Sequence, residues 1–296
     1  MRKIITRMRG GLGNQLFIVS YALYIANQEI NREECEIILD IREYKHYKIR
    51  NFELFNLIMN DKMRFYDSRK DFSIFYELTR SLYHVVQKMF RPDISMNTLL
   101  QKKGLYYSKR SVRPLSIPLK QTHRYLYGYF QDANMALKVK DELLCRLLPQ
   151  ENTSYDDLTR NACIAVSIRC GKDYLDQGWP ICCEDYYLNS LSEILEEKYK
   201  NKNVSVLIFS DNMEYAKKIS WLCNVTYIQN LSPSDQIRLM SRCNDFVISN
   251  SSFSWWGAFL GSNSESIIIA PDQWYDDGEK TERTFLKFPG MRIRKM

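Results

Sequence analysis

Arg169 stands at the end of an apolar run, Cys163 to Ile168, and opens the polar stretch of the segment SIRCGKDYLDQGWP, Ser167 to Pro180. A guanidinium at the end of a buried strand presents two parallel N–H donors beyond the sheet, and a diphosphate matches that fork. Lys172, Asp173 and Asp176 follow in the same loop, adding a second cation and two candidate proton acceptors. The plainer reading is an arginine salt-bridged at a sheet edge.

Three further segments have the residue types for an anionic or nucleotide ligand. In GGLGNQLF, Gly10 to Phe17, glycines between a strand and a helix allow positive φ and let backbone N–H groups approach a phosphate. It is not the dinucleotide fingerprint, because Leu16 occupies the third glycine position, although Asp40 could imitate a ribose-binding acid. In FSDN, Phe209 to Asn212, Asp211 follows a strand and precedes a helix. It can cap that helix or accept from a base or ribose. In SNSSFSWWGAFLG, Ser249 to Gly261, Ser251 and Ser252 lie at a helix N-terminus, where N–H groups and the dipole attract anions. Trp255, Trp256 and Phe259 read as core.

The elements that would position these segments form an α/β rhythm. A strand from Lys3, a helix from Asn14 to Ala26 and a strand ending at Asp40 open the chain. A helix over Ser73 to Phe90 and a basic loop with short strands over 101–124 follow. Then come a strand at Arg124 to Phe130 and a helix from Asn134 to Leu148. Residues 150–160 are polar and read as a linker. Beyond them, strands at CIAVSIR, VSVLIFS, VTYI, DFVIS and SIIIAP alternate with helices at Glu184 to Tyr199, Asn212 to Leu222, Pro233 to Cys243 and Phe253 to Leu260. Near-continuous apolar strands alternating with helices imply parallel sheets, with ligands beyond the carboxyl ends of the strands.

The 296 residues suffice for two domains of ordinary size, and the composition is globular. Residues 1–150 hold 26 Lys and Arg against 15 Asp and Glu, a net +11, whereas residues 151–296 are net −4. A basic half can face an anionic membrane or simply water. No RNA-binding or zinc-finger signature supports nucleic acid. The eight cysteines form no C-x-x-C pair and only three histidines occur, so a zinc site is not expected. Cysteines inside apolar runs suggest a reducing compartment. The N-terminal residues do not read as a signal peptide, and no stretch approaches the about 20 apolar residues of a membrane span. The expectation is a cytoplasmic protein, with peripheral contact at the inner membrane open to its basic half.

Together GGLGNQLF, GYFQ (Gly128 to Gln131), SIRCGKDY, FSDN, SNSSFSWWG and APDQW (Ala270 to Trp274) resemble, in order and across nearly the whole chain, glycosyltransferase family 11, the α-1,2-fucosyltransferases. The resemblance implies a GT-B-like α/β architecture of two Rossmann-like domains with a donor cleft between them. Residues 1–150 would be the acceptor-side domain and residues 151–296 the GDP-sugar-binding domain. It implies GDP-fucose as donor, inversion at the anomeric carbon, and neither metal nor other cofactor. Arg169 would hold the donor diphosphate. Gly11, Asn14 and Gln15 would line the cleft, and Asp211, Ser251, Ser252 and Phe253 would seat the nucleotide. The acceptor it suggests is O2 of a terminal galactose, in a surface glycan or its lipid-linked precursor.

One segment departs from the family's pattern of His, two Arg, Gly and Asp. Ser167 stands at the His position, Cys170 at the second Arg, and Lys172 displaces the Asp to Asp173. Asp173 is the first choice of general base, followed by Asp176 and then Asp185. Alternatively, Asp173 only holds Arg169 or Lys172 in place. Other readings are a transferase using another sugar nucleotide, a sugar-nucleotide-binding protein that has lost catalysis, and a nicotinamide-dependent oxidoreductase, which Leu16 argues against.

Overall fold

The computed structural model describes residues 2–28, 35–46, 49–58, 63–67, 104–107, 123–147, 155–200 and 202–296, with positions 74, 77, 78, 81 and 85. The chain divides into two compact units, residues 1–146 and 147–296. In the first, β1 (Arg2–Arg7) leads into α1 (Leu12–Asn27), followed by β2 (Cys35–Asp40), β3 (Met63–Tyr66), β4 (Leu105–Tyr107) and β5 (His123–Tyr127). The short helices α2 (Ala133–Leu137) and α3 (Lys140–Cys145) close it. The sheet is parallel in the order β3-β2-β1-β5-β4.

The second unit runs β6 (Cys163–Ile168), α4 (Lys172–Leu175), α5 (Glu184–Lys198), β7 (Ser205–Ser210), α6 (Met213–Lys218), β8 (Thr226–Tyr227), α7 (Pro233–Met240), β9 (Asp245–Ile248), α8 (Ser252–Gly261), β10 (Ile268–Pro271) and β11 (Met291–Arg294). Its parallel order is β11-β10-β9-β6-β7-β8. Numbered within the unit, this is 3-2-1-4-5-6 read from β8, the doubly wound order whose switch point lies between β6 and β9. Those strands are buried at every position, as strands covered on both faces must be.

The expected helix from Asn134 to Leu148 is broken in two. Val139 leaves the helical backbone and drives its β-branched side chain into the core. The helix after Asn212 stops at Lys218, because Ile219 turns extended and joins the core of the second unit. The short edge strands β3 and β11 carry no apolar run long enough to announce themselves. Positions 74, 77, 78, 81 and 85 are helical. The rest of the expected helix over Ser73 to Phe90, and most of 101–124, lie outside the described residues. The expected linker contains a 3-10 turn, Asp156–Thr159.

Trp255, Trp256 and Phe259 are fully buried. Trp255 stacks on Phe259 at 4.6 Å and donates its indole N–H to the Leu286 carbonyl at 2.7 Å. This fixes α8, whose first turn faces the site. All eight cysteines carry free thiols. Among the described residues, no helix is long and apolar enough to cross a membrane.

Candidate active site

The carboxyl ends of β6, β7 and β9 bring three of the sequence segments together. Arg169 follows β6, where its Nη2 donates to Asp173 at 2.7 Å and its Nη1 to Asp211 beyond β7. Asp211 also accepts the backbone N–H groups of Cys170 at 2.9 Å and Gly171 at 3.0 Å. Asp211 therefore does not cap the following helix. That role falls to Asn212, whose side chain accepts from the Tyr215 N–H at 3.2 Å. Asp211 instead braces the arginine loop, with its lone pairs committed to three donors.

Tyr174 supports the guanidinium from below, with the Arg169 carbon 4.7 Å from its ring centroid. Burial pushes the Tyr174 phenol well above its usual range, so it remains a hydroxyl. It donates to the Asn250 carbonyl at 2.7 Å. Asn250 in turn donates to the Pro180 carbonyl at 2.9 Å and the Trp274 carbonyl at 3.4 Å. The segments containing Arg169, Ser251 and Trp274 thus converge on Asn250. Sequence reasoning passed over Tyr174 and Asn250; the invitation was a polar residue sitting between a buried strand and a buried helix.

Ser167, at the position of the family's histidine, is 4% exposed. Its hydroxyl meets that of Ser254 at 2.7 Å, and Ser254 meets Ser249 at 3.1 Å. This buried hydroxyl group ties β6 and β9 to α8. Cys170, at the second arginine position, is also enclosed, and burial raises its thiol above the usual range. Neither residue offers a charge to a ligand. Ser251 sits at the N-cap of α8 without capping it, and Ser252 and Phe253 open the helix partly exposed. The first turn of α8 therefore presents N–H groups across the switch point from Arg169.

Of the other candidate bases, Asp176 holds the exposed Lys172 at 2.9 Å, and Asp185 lies exposed in the first turn of α5. Asp173 is occupied with Arg169. Among the described residues, no three His, Cys, Asp or Glu side chains gather as a metal cluster.

In the first unit, Gly10 takes a left-handed φ of 76° and Gly11 starts α1. Asn14 accepts from Gln131 at 2.9 Å, which joins the glycine loop to the GYFQ segment after β5. Gln15 is placed otherwise than expected of a residue lining a cleft: it is 0% exposed and its amide is fully used. Its Nε2 donates to the Gly10 and Asn51 carbonyls at 3.0 and 2.8 Å, and its Oε1 accepts from the Glu53 and Leu54 N–H groups, both at 3.0 Å. Gln15 pins residues 51–54 to the glycine loop.

A family model described as glycosyl transferase family 11 matches residues 3–288. An alpha-1,2-colitosyltransferase of Escherichia coli is 29% identical over 296 residues, 94% of each chain. The O-antigen biosynthesis glycosyltransferase WbnK of Escherichia coli is 26% identical over 304 residues, 94% of this chain and 96% of that one. Among solved structures, NodZ alpha-1,6-fucosyltransferase, soaked with GDP-fucose, superposes with a TM-score of 0.57 at 14% identity, covering 88% of this chain and 92% of its own. The NodZ likeness shows a shared fold.

Proposed function

The chain belongs to glycosyl transferase family 11, is a glycosyltransferase of GT-B-like fold, and on that footing we propose that it transfers L-fucose from GDP-fucose to a sugar hydroxyl, with inversion. The acceptor atom in this reading is O2 of a terminal galactose in a surface glycan such as an O-antigen, or in its lipid-linked precursor. The observation that carries it is Arg169, braced by Asp211 and Asp173 and supported by Tyr174 at the switch point of the second sheet. A guanidinium fixed in that way is ready for a diphosphate leaving group.

The acceptor oxygen attacks the anomeric carbon as the bond to the GDP oxygen breaks. Negative charge grows on the diphosphate, and Arg169 with the first turn of α8 stabilises it. No metal enters this scheme. The attacking hydroxyl passes its proton to a carboxylate, and in this reading that is Asp173, which lies 2.7 Å from Arg169 Nη2. Ser251, Ser252 and Phe253, at the first turn of α8, attend the nucleotide. The net +11 of residues 1–150 suits peripheral contact with an anionic inner membrane carrying a lipid-linked acceptor.

A second donor is favoured by the 29% identity to an alpha-1,2-colitosyltransferase. Colitose is fucose without its 3-hydroxyl, so the two donors share the diphosphate chemistry. The test is a panel of GDP-fucose, GDP-colitose, GDP-mannose and UDP-galactose against an oligosaccharide array, with product linkage read by NMR. We expect transfer from GDP-fucose, undiminished by excess EDTA. Preferred use of GDP-colitose selects the second donor. Transfer from the UDP-sugar alone, or GDP binding without turnover, overturns the proposal. Loss of activity in EDTA restored by Mg²⁺ or Mn²⁺ overturns its metal-free part.

A further inference from the structure

Gln15 and Tyr44 both lead from the glycine loop to a surface that the donor chemistry does not use. The rings of Phe52, Phe55 and Phe65 form a triangle, with centroids 5.7 Å (Phe52 to Phe55), 5.4 Å (Phe52 to Phe65) and 6.2 Å (Phe55 to Phe65) apart. Phe55 is 50% exposed and Phe65 42%. Soluble domains bury most of their phenylalanine, so three touching rings with two open to water mark a place of contact.

The triangle is held in place. Gln15 fixes the backbone on either side of Phe52, and Leu54 is fully buried. Phe52 also meets the Tyr44 ring at 5.7 Å, and the Tyr44 hydroxyl donates to the Gly10 carbonyl at 2.6 Å. Phe65 is the penultimate residue of β3, paired with Leu39 of β2, so the rings lie toward the carboxyl edge of the sheet, where the glycine loop also follows β1. Arg50, two residues before Phe52, comes close to the glycine loop, its Cδ 3.5 Å from where a Cβ on Gly11 would be.

We propose that Phe52, Phe55 and Phe65 are the platform on which a pyranose ring of the acceptor glycan stacks. A sugar ring has a face of C–H bonds and an edge of hydroxyls. The rings suit the first, while Arg50 and Glu53 beside them suit the second. A lipid tail would ask instead for a continuous aliphatic surface. The exposed aliphatic side chains Ile74, Leu78 and Val85 stand at helical positions and are not members of the ring triangle. The platform deepens the glycosyltransferase reading and rests on it.

The test uses the full chain, labelled and saturated with GDP, on an array of defined oligosaccharides, and separately with phosphatidylglycerol vesicles. The variants are Phe55→Ala with Phe65→Ala, and Phe55→Trp, which keeps an aromatic face. Wild type should be retained on a subset of glycans. The double alanine variant should lose at least about tenfold of that retention, and Phe55→Trp should keep it. GDP affinity should be unchanged in all, and a thermal melt should show each variant folded, the double alanine variant with a modestly lower midpoint. The proposal is overturned if wild type is retained on no glycan, if the double alanine variant is retained equally, or if the substitutions weaken vesicle binding and leave glycan retention intact. Failure of wild type to bind GDP would strike the donor reading, while the glycan result would still decide the platform.

Discussion

Asp211 and Gly171 fit against one another only because residue 171 has no side chain. The Asp211 carboxylate accepts the Gly171 N–H at 3.0 Å, and a Cβ on Gly171 would come within 2.9 Å of Asp211 Cγ. The same carboxylate receives Nη1 of Arg169, so the loop backbone and the guanidinium share one anchor.

Gly171→Ala should therefore act on Arg169 from a distance. Gly171 has an ordinary extended backbone, so alanine adds no conformational strain and only steric pressure on Asp211. The expected result is a folded protein whose kcat/KM falls about 10- to 100-fold, or roughly 1.4–2.7 kcal/mol. Steady-state kinetics beside a thermal melt would check it. Wild-type kinetics in the variant would mean that the anchor does not govern Arg169.

Removing the guanidinium itself should cost more. Arg169→Ala should lower kcat/KM by about 10²–10³, roughly 3–4 kcal/mol, as for other lost charge-stabilising donors. Arg169→Lys should recover only part of this, because an ammonium cannot reach Asp211, Asp173 and a diphosphate with one planar fork. Full activity in a folded Arg169→Ala variant would remove this residue from the leaving-group site.

Asp173 has two possible duties, and Asp173→Asn separates them. The amide keeps the shape and can still accept from Arg169, but it has no basicity. Loss of the base predicts a fall in kcat of about 10²–10⁴ with GDP affinity intact. Loss of a brace predicts weaker GDP binding with kcat largely preserved. The base role proposed for Asp173 predicts the first outcome. An unchanged enzyme would transfer the role to Asp176.

The sequence showed the α/β rhythm plainly, because buried parallel strands such as Cys163–Ile168 are apolar throughout and their neighbours carry caps and prolines. It also placed the polar segments of Arg169, Asp211 and Ser251 at strand ends, where the structure has them. It did not show what each polar residue there holds. Asp211 and Asn212 are adjacent, and either could have capped α6; only the return of the chain beside β6 commits Asp211 to Cys170 and Gly171. The family resemblance made Gln15 a cleft residue, but its side chain is fully buried and committed to Gly10 and residues 51–54. The phenylalanine platform was illegible, since Phe52, Phe55 and Phe65 meet only after β3 pairs with β2.

Acid should loosen the edge of the second sheet. Glu193 on α5 accepts from Arg292 at 2.9 Å and from Arg294, which ties β11 to the helix. Burial works to raise the Glu193 carboxyl, but the hydrogen bonds from Arg292 and Arg294 outweigh it and hold the group below its ordinary value. A depressed carboxylate contributes stability above its unfolded value of about 4.3 and loses it as pH falls through the folded one. The thermal midpoint of wild type should exceed that of Glu193→Gln at neutral pH, and the gap should close below about pH 4. A gap independent of pH would show that the charge is not what binds the strand.

Gln15→Leu tests whether Gln15 serves the fold or the donor. Leucine fills nearly the same volume and removes all four hydrogen bonds. The Glu53 and Leu54 N–H groups and the Asn51 carbonyl would be left without their partner, at a cost of about 2–5 kcal/mol. The segment that carries Phe52 and Phe55 would be freed with them. The expected signature is a lower thermal midpoint, faster hydrogen exchange at the amides of residues 53 and 54, and a GDP affinity close to wild type. A residue that touched the nucleotide would give the reverse: preserved stability, slow exchange at those two amides, and a raised KM for the donor. Exchange measured by mass spectrometry on the GDP-bound protein, with calorimetry of GDP on the same preparation, distinguishes the two.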